Sequence, residues 1–177
     1  MENLKILIVE DNAATRLLLE KRLKKRQQYE VYSAEDGDSA VTIISQSYFD
    51  VVITDLMMPG DLDGIGVLEY VKRKSPQTEV IILTAHATVD NAVGAMKKGA
   101  TDYLQKPINF EELFLRLDKI GAIKSLAEDA TELREAMDVT ERNASQTIQE
   151  LEIKVSELQQ MLSDIKKILS RSDIGKI

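Results

Sequence analysis

Ile6-Leu-Ile-Val-Glu-Asp11 sets four apolar residues directly against two carboxylates. A short apolar run that stops at a polar loop reads as a strand buried on both faces, the kind found in parallel sheets. The pattern recurs at Tyr29–Ser33, Asp50–Thr54, Glu79–Leu83 and Thr101–Leu104. Between these runs lie stretches with helical spacing: about Ala13 to Arg26 with Leu17, Leu18 and Leu23 on one side, and Asp36–Gln46 with Ala40, Ile43 and Ile44 inward. Further helices span about Gly64 to Lys74 and Asp90–Lys98, the latter closed by Gly99. Asn109-Phe-Glu-Glu112 offers an N-cap with an acid three residues on, opening a fifth helix. Strict alternation of strand and helix implies right-handed crossovers and an α/β fold, a parallel sheet with helices on both faces.

Composition narrows the function classes. The chain has 177 residues and no cysteine, which excludes disulfides and thiolate metal sites and fits a reducing, cytoplasmic setting. Its unbroken apolar runs are four residues long, too short for a bilayer span, so no membrane partner is expected. A net charge of −7 and a pI near 4.9 argue against nucleic acid. The segment 121–177 carries 8 basic and 11 acidic residues, a net −3 that also opposes DNA binding.

The pattern changes after Gly121, dividing the chain into a globular region, 1–120, and a helical region, 121–177. From Ala122 to Ile174 there is neither Gly nor Pro, and no aromatic residue occurs after Gly121. Apolar residues recur at spacings of three and four through Leu126, Ala130, Leu133, Met137, Thr140 and Ala144. A stronger register runs through Ile148, Leu151, Val155, Leu158, Leu162, Ile165 and Leu169. Met137 and Ile148 are eleven residues apart, so the registers join through a four-residue stutter. Such spacing predicts a coiled coil continuing from the fifth helix, with a second copy of the chain as partner, a homodimer. Ile168–Ile177 is expected to fray.

The strand ends carry the chemistry. Glu10 and Asp11 follow the first run, Asp55 the third, Thr84 the fourth, and Lys106 the fifth. In an open α/β sheet, ligand sites form beyond the carboxyl ends of the strands, so these side chains are expected to converge. Two carboxylates 4 Å apart repel by roughly 4 kcal/mol at an effective dielectric of 20. Such a cluster is tolerable only if a cation neutralises it or some of its pKa values rise, and Mg²⁺ suits it: a hard ion that takes carboxylates, keeps waters and binds phosphate oxygens. Asp55 would be the nucleophile on phosphorus, forming an aspartyl phosphate. Mg²⁺ and Lys106 would neutralise the transferred group while Thr84 donates a hydrogen bond to it.

At Ile6-Leu-Ile-Val-Glu-Asp11, Val51-Val-Ile-Thr-Asp-Leu-Met-Met-Pro-Gly60, Val80-Ile-Ile-Leu-Thr-Ala85 and Gly99-Ala-Thr-Asp-Tyr-Leu-Gln-Lys-Pro107, the chain resembles the receiver domain of two-component response regulators. The resemblance covers residues 1 to about 120. It implies a flavodoxin-like five-stranded parallel sheet of order 2-1-3-4-5. It further implies that Asp55 accepts a phosphoryl group from a sensor histidine kinase or phosphotransfer protein. Asp11, Asp55 and the Met57 backbone carbonyl would ligate Mg²⁺, with Glu10 holding a metal-bound water. Tyr103 would be the aromatic that turns inward when Thr84 moves. The loop Pro59–Gly64 looks one residue longer than the commonest form. His86 reads as a surface loop residue.

Competing classes are weaker. A haloacid-dehalogenase-like phosphatase would place a second Asp two residues past the nucleophile, where Met57 stands. A receiver is instead a phospho-accepting switch, not an enzyme, with slow self-dephosphorylation. A structural adaptor with a vestigial site need not keep all five of Glu10, Asp11, Asp55, Thr84 and Lys106. Leu126–Met137 also resembles the linker after receivers of transcriptional activators, so a shortened relative of such a regulator is a further alternative. A downstream protein target would read the face carrying Tyr103 and the coiled coil.

Overall fold

The computed structural model describes residues 3–85 and 87–172, with side chains through residue 168. Five strands, β1 (Leu4–Val9), β2 (Tyr29–Ala34), β3 (Val51–Asp55), β4 (Glu79–Thr84) and β5 (Asp102–Gln105), form one parallel sheet of order β2-β1-β3-β4-β5. The helices are α1 (Ala13–Lys24), α2 (Gly37–Gln46), α3 (Gly64–Lys74), α4 (Val89–Lys97) and α5 (Phe110–Ser172). This is the flavodoxin-like order that the alternating pattern and the resemblance imply.

Strand pleating sorts the apolar residues into two cores. Leu7 and Val9 of β1 point to the face covered by α2, α3 and α4, through Ala40, Ile44, Val67, Leu68, Val71 and Ala95. Leu4, Ile6 and Ile8 point to the other face, covered by Leu19 and Leu23 of α1 and Leu113 and Leu117 of α5. Leu17 and Leu18 depart from the expected inward stripe: they are 51% and 46% exposed, and Leu19 joins Leu23 instead. A helix buries the residues four apart that face the sheet, and here the 19/23 pair takes that position.

Each helix starts where a short polar side chain accepts a backbone N–H of the first turn. Asn12, Asp36, Asp63 and Thr88 cap α1 to α4 in this way, and Asn109 Oδ1 accepts from Glu111 and Glu112 at the start of α5. Gly99 ends α4 with φ of 97°, a conformation that glycine adopts without Cβ strain. Gly64 is required by proximity rather than φ. A Cβ there would lie 2.0 Å from the Asp55 carbonyl oxygen, so the first turn of α3 rests directly on the end of β3.

Residue contacts divide the chain into two compact units, Met1–Lys124 and Ser125–Ile177. Within the first, Asp118 of α5 accepts hydrogen bonds from Arg26 (3.1 Å), Gln28 (3.0 Å) and the Tyr29 hydroxyl (2.8 Å). Lys124 sits 2.9 Å from the buried Asp50 carboxylate, which also accepts the Lys5 N–H at 2.8 Å. These contacts tie α5 to the amino-terminal ends of β1, β2 and β3. In the second unit the helix continues through Ser172, past the Ile168 point at which fraying is expected. Residues 173–177 lie outside the described residues, as does His86. The apolar registers of the tail are exposed from Leu126 through Ile165, and among the described residues no helix is long and apolar enough to cross a membrane.

Candidate functional site

The strand order makes β1 and β3 neighbours, with Val9 level with Thr54. Their next residues, Glu10 and Asp55, therefore emerge side by side. Glu10 is fully buried, Asp55 is 7% exposed and Asp11 is exposed. One oxygen from each of the three lies within 4.8 Å of the others. Thr84, fully buried at the end of β4, stands level with Gln105 of β5. Its carbonyl accepts the Lys106 N–H at 2.7 Å, which fixes the start of the loop after β5.

From that loop the Lys106 ammonium reaches across the sheet end. It donates to Asp55 Oδ2 at 2.5 Å and to Glu10 Oε2 and Oε1 at 2.8 and 3.0 Å. The other Asp55 oxygen, Oδ1, accepts the Met57 N–H at 3.2 Å. Burial pushes the Glu10 carboxyl above its ordinary range, and Lys106 offsets only part of that effect. Burial also disfavours the charged Lys106, but the hydrogen bonds and charges of Asp55 and Glu10 outweigh it and raise its pKa. The ammonium thus stays charged between two carboxylates it partly neutralises.

All five polar residues expected at the strand ends meet at one end of the sheet. Tyr103 does not join them. It lies partly buried against the α2–α4 core, and its hydroxyl is buried with no hydrogen-bond partner. Sequence reasoning missed Arg16, whose Nη1 donates to the Glu10 and Asp11 carbonyls at 2.6 and 3.2 Å. It thereby holds the acidic pair in place from the first turn of α1. The available signal was a basic residue one turn into a helix that starts at an acidic strand end. Asp63, in the loop after β3, caps α3 by accepting the Gly66 N–H at 2.8 Å.

Three hard oxygen donors clustered around a partly exposed opening suit Mg²⁺ better than a softer ion. Among the described residues Lys106 is the one basic side chain paired with Glu10 and Asp55, so a single ammonium faces two carboxylates there.

The family model for the response regulator receiver domain matches residues 6–118, and the chain belongs to that family. It is 34% identical over 143 residues to an NtrX-like response regulator of Rickettsia typhi, covering 80% of this chain and 30% of that protein. It is 36% identical over 118 residues to the transcriptional regulatory protein ZraR of Escherichia coli K12, covering 67% of this chain and 26% of that one. The chain thus spans less than a third of the length of these two relatives. Among solved structures, the signal receiver domain of a LuxO repressor protein from Vibrio parahaemolyticus superposes with a TM-score of 0.66 at 33% identity, over 71% of this chain and 95% of that one. NtrX from Brucella abortus gives 0.65 at 28% identity, over 73% and 29%. Receivers are the phospho-accepting switches of two-component systems, and this chain is one of them by fold and family.

Proposed function

We propose that Asp55 accepts a phosphoryl group from a sensor histidine kinase or phosphotransfer protein. The observation that carries this reading is the Asp55 carboxylate itself. It is nearly buried at a strand end, with one oxygen held by Lys106 and the other by the Met57 N–H. A carboxylate oxygen attacks phosphorus, the P–N bond of the phosphohistidine breaks, and the imidazole leaves with the electron pair and takes a proton from solvent. No general base is required, because the nucleophile is already ionised.

Asp11, Asp55 and the Met57 carbonyl would hold Mg²⁺, with Glu10 on a bound water. When bound, the ion neutralises charge on the phosphoryl oxygens and their carboxylate neighbours. Lys106 turns its ammonium to the incoming phosphoryl group, and the Thr84 hydroxyl donates a hydrogen bond to it. Tyr103, with its buried hydroxyl unpartnered, is the side chain poised to change position when Thr84 engages. The chain acts as a cytoplasmic switch rather than a turnover enzyme, losing the phosphoryl group by slow hydrolysis. Its tail holds a homodimer and passes the state of the Tyr103 face to a downstream protein.

A second role for the tail has its own support. An NtrX-like regulator of Rickettsia bellii aligns with 99% of this chain at 30% identity, tail included, over 36% of its own length. In that reading the helix is a connector within a longer regulator.

Intact mass after incubation with Mg²⁺ and acetyl phosphate tests the reading. One added phosphoryl group, dependent on Mg²⁺ and absent in Asp55→Asn, is the expected result. No gain in the parent chain would leave the tail as the functional part and the site vestigial.

A further inference from the structure

We infer that the helical tail pairs with a second copy of itself in antiparallel orientation, the two helices crossing at Ala144. The inference rests on the self-association proposed above and specifies its geometry. The apolar seam is symmetric about Ala144: Thr140 and Ile148 lie four residues to either side, Met137 and Leu151 seven, and Ala130 and Leu158 fourteen. The symmetry continues to eighteen residues each way. It exists because the four-residue stutter falls at the midpoint of the Leu126–Leu162 stretch; Ile165 and Leu169 extend the seam beyond it without a counterpart. A two-fold axis through Ala144 therefore sets each seam residue from Leu126 to Leu162 of one helix level with a seam residue of the other, and brings both stutters to the same height.

Side-chain size favours this pairing over a parallel one. In a parallel, in-register pair each residue meets itself, so Ala130, Thr140 and Ala144 would form three thin layers within fifteen residues. Thin layers forfeit contact and leave gaps. Antiparallel pairing sets Leu158 opposite Ala130 and Ile148 opposite Thr140 of the second copy, and only Ala144 meets itself. Large facing small is how close-packed layers interdigitate. The β-branched preference of parallel dimers does not decide otherwise, because Leu162 and Ile165 reverse the Ile148–Leu151 and Val155–Leu158 order.

The surface offers a matching hole. Ile148, Leu151, Glu152 and Val155 border a shallow apolar groove. The residue of an antiparallel partner level with it is Met137, whose unbranched thioether fills irregular gaps well. Eight large apolar seam residues from Leu126 to Leu162 are each more than half exposed. Covering them removes on the order of 800 Å² per helix, what each partner of a stable complex commonly contributes.

The chain has no cysteine, so engineered thiols report the pairing without background. Three variants of the whole 177-residue chain, Ala144→Cys, Ala130→Cys and Leu158→Cys, are oxidised and run without reductant. Ala144→Cys forms a disulfide dimer in either orientation and tests self-association. With antiparallel helices, Ala130→Cys and Leu158→Cys each fail alone, because like positions lie roughly 42 Å apart along the axis, beyond disulfide reach. Mixed together they crosslink. Crosslinking of each variant alone, with Ala144→Cys also positive, would overturn the orientation and leave the homodimer standing. No Ala144→Cys dimer, with a monomer by sedimentation, would instead remove the homodimer itself.

Discussion

Replacing Lys106 by Met exposes what the ammonium does in the resting site. Met keeps most of the side-chain volume and removes the charge that lies 2.5 Å from Asp55 and 2.8 Å from Glu10. Taking one partner from a buried ion pair leaves the other charge uncompensated, at a cost of about 3–5 kcal/mol. The Lys106 side chain is 18% exposed and Glu10 can take up a proton, so about 2–3 kcal/mol is the appropriate loss. Urea unfolding in EDTA measures it directly. The same substitution removes a competitor for the carboxylate oxygens, so Mg²⁺ should bind Lys106→Met more tightly. Saturating Mg²⁺ should then stabilise the variant by about 1.4 kcal/mol more than the parent, equivalent to a tenfold change in affinity. Phosphorylation by acetyl phosphate should nevertheless fall, because no ammonium meets the transferred group. A variant as stable as the parent without Mg²⁺, or one gaining no more from the ion, would refute the reasoning.

Other perturbations test separate parts of the structure. Gly64→Ala places a Cβ 2.0 Å from the Asp55 carbonyl oxygen, so it should lower the urea midpoint by an amount worth about 1–3 kcal/mol. It should also slow phosphorylation by displacing the end of β3. Leu23→Ala, in the fully buried α1 core, should cost about 2–5 kcal/mol in the same assay while leaving the Mg²⁺ affinity unchanged. Asp118→Ala strips one acceptor from Arg26, Gln28 and Tyr29; because the carboxylate is partly exposed, the expected loss is about 1–2 kcal/mol. Leu151→Asp puts a charge in the apolar seam and should convert a tail-mediated dimer to monomer in sedimentation velocity, with the receiver's thermal unfolding unmoved.

The fold was legible because its strands are buried on both faces and end in polar residues. Ile6–Val9 and Val80–Leu83 could hardly be anything but central strands, and the N-cap Asn109 marked the start of α5 to within a residue. The side of α1 was harder to read. Leu17, Leu18, Leu19 and Leu23 offer two apolar stripes, and only packing against the sheet selects 19 and 23. Glu10, Asp11, Asp55, Thr84 and Lys106 could be placed together because each ends a different strand. What Arg16, Asp50, Asp118 and Lys124 do could not be inferred that way. Their partners lie in other elements and follow no periodicity, so only the three-dimensional structure joins them.

The attachment of α5 has a mechanical consequence. Phe110 begins the helix just after the loop that carries Lys106, while Asp118 and Lys124 are tethered at the opposite edge of the sheet. A rod restrained near one end answers a push at the other by swinging rather than by sliding. The Asp118 and Asp50 contacts therefore act as a fulcrum for the first turns of α5, and a small displacement of the Lys106 loop becomes a change of angle between Phe110 and Asp118.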